Sequence, residues 1–481
     1  MSPTDTPAIA DGTELPLCVD LDGTLVKCDT LLDGLLLLLR KRPLQAWRVP
    51  LWLAGGKARL KREVANLAPL DAERLPYNAP LLRYLQEQRQ AGRKVYLTTG
   101  AESALAERVA QHLKLFDGVV ASDGTSNLIR QKKLALLKER FGEFGYVGNS
   151  GADLELLQNA RAPMVANPTL GLRMAMRRLG LLPARTFEDR GPGLPSLLKA
   201  LRVHQWSKNL LLLAPLAMSH RFTADSLGAA ALAFFCFSFV ASATYIANDL
   251  LDMESDRHHS TKRLRPFAAG DLSAAEGLWV ALLLLACAAA LLPLLPTTFA
   301  LWIGIYIVAT IAYSLYLKRV VIVDVLLLSG LYTLRLLAGG AATGTTISQW
   351  LAAFSSFLFL SLAMVKRFSE LEDMRERGVD TSHGRGYQAN DMEQIRSFGT
   401  ASAYAAVVVF MLYIGRPGTI TLYQHPYRLW LIVPLLLYWL TRVWLLASRG
   451  ELHGDPVIFA LRDWVSLGLG ILVVLLAVFA A

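Results

Sequence analysis

Near the middle of the chain a long apolar run ends in Asn248-Asp249-Leu-Leu-Asp252-Met-Glu-Ser-Asp256-Arg257. Asn248, Asp252 and Asp256 recur every four residues, so a helix places all three on one face, with Asp249 close beside them. Acidic residues are costly at membrane depth and normally mark a functional cavity. A ladder of like charges repels itself. It becomes favourable when Mg²⁺ ions bridge it to a diphosphate, because hard oxygen ligands suit Mg²⁺ and the metal neutralises a leaving group. The plain alternative is an acidic helix end in a solvated loop. Opposite charge follows at once in Thr261-Lys262-Arg263-Leu-Arg265-Pro266, where Arg offers a bidentate fork to phosphate oxygens and Lys a point charge. Basic loops also serve membrane topology alone.

A second set of reactive residues lies near the N-terminus. Leu15-Pro-Leu-Cys-Val-Asp20 reads as a buried parallel strand, and it ends in Asp20-Leu-Asp22-Gly-Thr. Two carboxylates then project from a strand end, an arrangement that suits Mg²⁺-assisted phosphoryl chemistry: one attacks phosphorus while the other moves the proton of the leaving oxygen. Asp and Gly also serve ordinary strand-to-turn junctions. Lys94-Val-Tyr-Leu-Thr-Thr99-Gly is a second strand with a hydroxyl at its end. Gly145-Tyr-Val-Gly-Asn149-Ser-Gly-Ala-Asp153 is a third, leading into an acidic loop.

The elements that must position these groups divide the chain in two. The 481 residues carry a formal net charge of +10, with 53% hydrophobic and 18% charged residues; a soluble enzyme has about 25% charged residues, so much of the chain is expected in lipid. The four cysteines show no zinc or redox spacing and form no disulfide framework, which excludes a secreted stapled domain. Residues 1–188 read as a globular α/β domain, 189–195 as a turn-forming linker that cannot continue a helix, and 196–481 as a membrane domain. Nine apolar segments of spanning length centre near Leu212, Phe235, Leu284, Ile307, Leu328, Phe357, Val408, Leu436 and Val473. The first ten residues have no basic stretch followed by an apolar core, so no cleavable signal is expected. Lys and Arg concentrate in alternate loops, which puts those loops and the N-terminal domain on the cytoplasmic side of the inner membrane and Ala481 on the other. Nothing in the chain suggests nucleic-acid binding; cytoplasmic loops and phosphate ligands account for the positive charge.

In this order the three strand-end motifs resemble those of the haloacid dehalogenase-like phosphatases over about Leu15 to Pro168. The resemblance implies an α/β Rossmann-like domain with Asp20 as nucleophile, Asp22 as acid/base, Thr99 as phosphate ligand and Lys133 as charge stabiliser, with Lys132 an adjacent candidate. It further implies Mg²⁺ held among Asp20, Asp22, Asn149 and Asp153. Asn149 stands where that family normally has Asp, and a neutral oxygen holds a hard cation less firmly, so an active phosphatase and a degenerate regulatory domain are both open readings. Residues from about 31 to 80 are too long for a loop and predict a helical cap. Its apolar runs Leu35–Leu39 and Trp47–Leu53, interrupted by Arg40, Lys41, Arg42 and Arg48, suit either helix packing or contact with an anionic membrane surface.

The spacing N-D-x-x-D-x-x-x-D, with R-P-x-x-x-G after it and nine spans, resembles the UbiA superfamily of intramembrane prenyltransferases over about Leu197 to Ala481. The resemblance implies an all-α polytopic bundle and Mg²⁺-dependent transfer involving a polyprenyl substrate, with Asn248, Asp249, Asp252 and Asp256 as metal ligands. Gln205-Trp206-Ser-Lys208-Asn209 is similar to the decaprenyl-phosphate phosphoribosyltransferase branch, as are Tyr313 to Lys318, Asp324, Arg335 and Gly339-Gly340. Prenyl diphosphate-dependent members carry a second D-x-x-x-D, where this chain has Lys366-Arg367-Phe-Ser-Glu370-Leu-Glu372-Asp373. The implied chemistry joins phosphoribosyl diphosphate to a polyprenyl phosphate among membrane lipids. Candidate ligands are Lys208, Arg257, Lys262, Arg265, Tyr313, Lys318, Arg335, Lys366, Arg367 and Glu370; several of these cations equally suit the interface as topology charges. Prenylation of an aromatic acceptor and a non-catalytic lipid-binding scaffold are the rival readings. The tract from Glu376 to Glu393 reads as a lid, and Glu451 to Asp455 as a cytoplasmic turn.

Overall fold

The computed structural model describes residues 15–122, 128, 130–219, 222–376, 386–420, 423–452 and 454–481. The chain forms two compact units. One takes the N-terminal residues to Leu201 together with Tyr245–Ala281, the other Arg202–Thr244 with Leu282–Ala481.

The first unit is built on a six-stranded parallel sheet in the order β3-β2-β1-β4-β5-β6. The strands are β1 (Leu17–Val19), β2 (Val95–Glu102), β3 (Gly118–Ser122), β4 (Gly145–Gly148), β5 (Ala162–Ala166) and β6 (Arg185–Phe187). β1 and β4 are buried along their whole length, as expected of strands covered on both faces. Side chains alternate between two cores. Leu17 and Val19 pack with Val95, Leu97 and Val147, and Cys18 packs with Tyr146, Leu137 and Leu156. Because the chain leaves β3 and re-enters at β4 on the far side of β1, the strand order reverses there. Such a reversal opens a crevice at the carboxyl ends of the strands.

The cap consists of α1 (Thr30–Lys41), a 3₁₀ turn (Pro43–Arg48), α2 (Val49–Ala54) and α3 (Lys57–Leu67). Helices α4 (Ala79–Gln90), α5 (Ser103–Leu113), α6 (Gln131–Phe141), α7 (Leu154–Asn159) and α8 (Leu170–Arg178) follow. Helix α9 (Gly193–Leu201) starts inside the expected linker. Pro195 falls in its first turn, where the missing N–H has no partner to lose, so the proline starts the helix instead of stopping it.

The membrane part contains α10 (Ala214–Ser219), α11 (Ala224–Arg257), α12 (Ala274–Leu291), α13 (Thr297–Leu315), α14 (Val323–Thr343), α15 (Gln349–Glu376), α16 (Met392–Ile414), α17 (Pro417–Ile420), α18 (Ile432–Ser448), α19 (Pro456–Ala460) and α20 (Trp464–Ala480). Among the described residues seven helices have the length and composition to cross a membrane, not the nine expected. The segment around Leu212 is a 3₁₀ stretch, Val203–Leu213, followed by the short α10. Its polar residues are tied down side by side, and Pro215 bars an α-helix from running through. The segment around Val473 is α20, an apolar helix of 17 residues, at the short end of the spanning range. In the second unit Val325, Phe359, Val365 and Phe368 pack with Val407, Leu440 and Trp444.

Candidate functional site

The first cluster sits at the carboxyl ends of β1, β2 and β4. Lys133, buried on α6, donates to Asp20 Oδ1 at 2.7 Å and to the Tyr146 hydroxyl at 2.8 Å. Lys132 is exposed, so the choice left open by the sequence falls on Lys133. The Tyr146 hydroxyl donates in turn to Asp153 Oδ1 at 2.8 Å. Asp153 Oδ2 accepts from the Asn149 and Ser150 amides and the Ser150 hydroxyl. Both oxygens of Asp153 therefore already serve protein donors. Asp153 thereby holds the loop that carries Asn149. Asn149 lies against Gly23, where a Cβ would meet its Nδ2 at 2.0 Å; Gly23 also has φ +71°, so only glycine fits between Asp22 and this amide. Thr99, buried within β2, accepts from the Ala101 amide at 3.0 Å.

Burial pushes the Asp20 carboxyl up to about 6 against the pull of Lys133. Asp22, which accepts the Thr30 amide at 2.8 Å, is pushed up to about 7 by burial and then by the charges of Asp29 and Asp20. Two crowded carboxylates with a charge deficit and an amide oxygen nearby are an all-oxygen donor set of the kind Mg²⁺ takes. The fit therefore rests on Asp20, Asp22 and Asn149.

A stability prediction follows from the direction of these shifts. Above the folded pKa the native state holds an anion that the unfolded chain holds more cheaply, whereas at pH 4 the folded carboxyl is protonated and the unfolded one only about half ionised, so little of the penalty remains. Asp22→Asn is therefore expected to stabilise the protein at pH 8 by about 2 kcal/mol, taking half of 1.36 kcal/mol per pH unit between about 4 and about 7 because the side chain is part-exposed. Thermal melts at pH 8 and pH 4 check this. A gain as large at pH 4 as at pH 8 contradicts it.

The acidic ladder lies in the last turns of α11. Asp249 Oδ1 and Asp256 Oδ2 converge on one atom, Arg265 Nη1, at 3.0 and 2.7 Å. Asp252 Oδ1 lies 2.6 Å from Arg40 Nη1. Asn248 is half-buried and Lys262 exposed. Asp252 thus takes a different partner from Asp249 and Asp256, no group of three or more acidic, histidine or cysteine side chains converges on one point among the described residues, and a guanidinium nitrogen occupies the point where two of the carboxylates meet. Two carboxylate oxygens converging on one point are part of the hard oxygen donor set that a divalent cation takes. Arg257 is placed otherwise than the resemblance implied: it is buried and bonded to Asp33 at 2.6 Å, which commits it to the cap.

In the second unit the Gln205 to Asn209 segment is clamped by hydrogen bonds from Trp206 to Ser242 and from Asn209 to Ser238. Arg335 donates to Asn209 Oδ1 at 3.0 Å and lies over the rings of Phe237, Tyr306 and Tyr332. Gly339 allows this approach, since a Cβ there would meet the Leu212 carbonyl oxygen at 2.1 Å. Asp455 gathers two of the candidate lysines, Lys208 at 2.5 Å and Lys366 at 3.9 Å. Arg367 is instead buried between Asp324 and Glu370, over the Tyr387 ring, and Tyr387 also donates to Asp324. Arg367 is thus committed to an internal ion pair with Asp324, while the Glu370 side chain stays part-exposed. Tyr313 lies near the end of α13, and Lys318 in the 3₁₀ turn that follows.

Sequence reasoning missed Asp455, Tyr146, Asp33 and Arg40 as parts of these clusters. Asp455 caps α19 by accepting from Val457, whereas in the sequence it reads only as part of a cytoplasmic turn. His453 and residues 377–385 of the expected lid lie outside the described residues.

The sequence profile of the UbiA prenyltransferase family matches residues 210–467, which include the ladder and Asp455. The uncharacterized protein y4nM of Sinorhizobium fredii is 38% identical over 467 residues, 96% of this chain and 90% of that protein, so the likeness runs through both parts. A decaprenyl-phosphate phosphoribosyltransferase of Mycobacterium tuberculosis is 32% identical over 277 residues, 56% of this chain and 88% of its own length. Among solved structures, a UbiA homolog from Archaeoglobus fulgidus bound to GPP and Mg²⁺ is 18% identical, covering 59% of this chain and 98% of its own, with a TM-score of 0.46.

Proposed function

The chain belongs to the UbiA prenyltransferase family, and from that premise we propose that it joins phosphoribose from phosphoribosyl diphosphate to a polyprenyl phosphate, and that its N-terminal domain then removes the 5-phosphate from the lipid-linked product. The observation that carries the first step is the convergence of Asp249 and Asp256 on one cationic centre. The name of the mycobacterial relative supports the choice of donor and acceptor. The segment that departs from a second D-x-x-x-D also supports it, because Glu370 and Glu372 there are paired with Arg367 and Arg375.

In the transfer, a phosphate oxygen of the lipid attacks the anomeric carbon of the ribose as its bond to the diphosphate breaks. Asp249, Asp252 and Asp256, with Asn248, would hold Mg²⁺, which supplies charge neutralisation to the departing diphosphate. Arg265 and Lys262 would offer donors to that diphosphate. Lys208 and Lys366 are assigned to the remaining phosphates, whose negative charge they would offset. In the second step Asp20 attacks the 5-phosphate, and Asp22 delivers a proton to the leaving hydroxyl and then takes one from the hydrolytic water. Lys133 and Thr99 hold the phosphoryl oxygens, and Asn149 would join the two aspartates in holding Mg²⁺.

The test is to incubate the purified protein with polyprenyl phosphate, phosphoribosyl diphosphate and Mg²⁺ and to read lipid masses. A pentose-phosphate adduct followed by its dephosphorylated form is the expected result. Absence of any pentose adduct in the wild type sinks the transfer reading. Release of pyrophosphate from geranyl diphosphate with a hydroxybenzoate would favour aromatic prenylation instead.

A further inference from the structure

The cap carries a surface that neither reaction uses. Between Asp33 and Glu63 the chain contains eight Lys or Arg residues and no Asp or Glu. Folding buries Leu37, Leu38, Trp52 and Leu60, which satisfies the packing side of the cap. It leaves Leu44 88% exposed, Trp47 68%, Leu51 58% and Leu53 50%. Residues 44, 47 and 51 are spaced by three and four, so they share one side of the turn from Pro43 into α2. Arg42 and Arg48 flank them and are exposed as well. A contiguous apolar tip ringed by cations and free of carboxylates is not an ordinary solvated surface.

A second, independent observation sets the depth of this tip. The cap is tied to the last turns of α11 by four polar contacts. Asp33 pairs with Arg257 and Arg40 with Asp252, the Asp71 amide donates to Glu254, and the Asp71 carboxylate meets His258. α11 has the length and composition of a membrane span, and residues 252 to 258 lie where such a helix leaves the hydrocarbon. Pro43 follows Arg40 by three residues, so the tip is held close to the bilayer surface. We propose that the tip of the cap, Pro43–Ala54, docks into the anionic headgroup layer of the membrane that α11 crosses, with Trp47 and the leucines at the acyl boundary and Arg42 and Arg48 on lipid phosphates. Tryptophan belongs at that level, since its ring is amphipathic. The charge complementarity selects anionic lipid over a second copy of this basic surface, which would repel itself.

The test uses the full chain carrying Cys287→Ser, which removes the exposed cysteine. A single cysteine is placed at Leu44, Trp47 or, as a control, the exposed Glu139 of α6, and is labelled with an environment-sensitive fluorophore. The proteins are reconstituted in nanodiscs of phosphatidylcholine with or without phosphatidylglycerol. Quenching by doxyl-labelled lipid is expected at 44 and 47 and not at 139, and it is expected to fall at least twofold in pure phosphatidylcholine or with Arg42→Glu and Arg48→Glu together. Quenching by aqueous iodide at 44 and 47 as strong as at 139, with no response to doxyl lipid, overturns the proposal. Protection from both quenchers also overturns it, because that is the signature of a protein partner.

Discussion

Asp249→Asn is expected to lower kcat for pentose transfer by about 10³-fold, close to 4 kcal/mol at 1.36 kcal/mol per decade. The substitution keeps the size of the side chain and an oxygen for Arg265, which now lies 3.0 Å away, so packing is conserved while one of two converging negative charges is lost. The variant should also need more Mg²⁺ for half-maximal rate, because a neutral oxygen holds a hard cation less firmly. Asp256→Asn should behave alike, and the double variant should lose far less than the product of the two, since both act through one cation centre. Turnover and Mg²⁺ titrations read from lipid masses check this. A variant that transfers at the wild-type rate, or whose Mg²⁺ requirement is unchanged, removes the ladder from the mechanism.

Asp20→Asn is expected to stop dephosphorylation by at least about 10⁴-fold, since an amide cannot serve as the nucleophile. The side chain still meets Lys133 at the end of β1, so the domain should remain folded. Pentose transfer is expected to continue, and the phosphorylated adduct should accumulate where the wild type shows its dephosphorylated form. Time-resolved lipid masses from wild type and variant make the comparison. If the phosphorylated adduct still disappears in Asp20→Asn, hydrolysis belongs elsewhere and the N-terminal domain has another task.

Local physics made much of this legible. β1 and β4 are short apolar runs ending in Asp20 and Asn149, and that pattern by itself announces buried parallel strands with chemistry at their ends. Seven of the apolar segments became helices of spanning length, because backbone groups in lipid must be satisfied within the helix. The other two differ from these for local reasons. Around Leu212, polar side chains with nearby partners and Pro215 favour a 3₁₀ stretch, and around Val473 the helix has 17 residues. The basic candidates separated only with the fold. Lys208 and Lys366 meet Asp455, while Arg257 and Arg367 are buried in ion pairs.

Spacing alone set the acidic ladder, since a helical period places residues four apart on one face whatever else the chain does. The sheet order and the pairing of charges were decided by tertiary structure. Arg257 finds Asp33 across 224 residues, Lys208 finds Asp455 across 247, and Asp20 finds Lys133 across 113. No periodic pattern reports such partners, because a buried charge takes whichever opposite charge the packing delivers, and packing is a property of the whole chain.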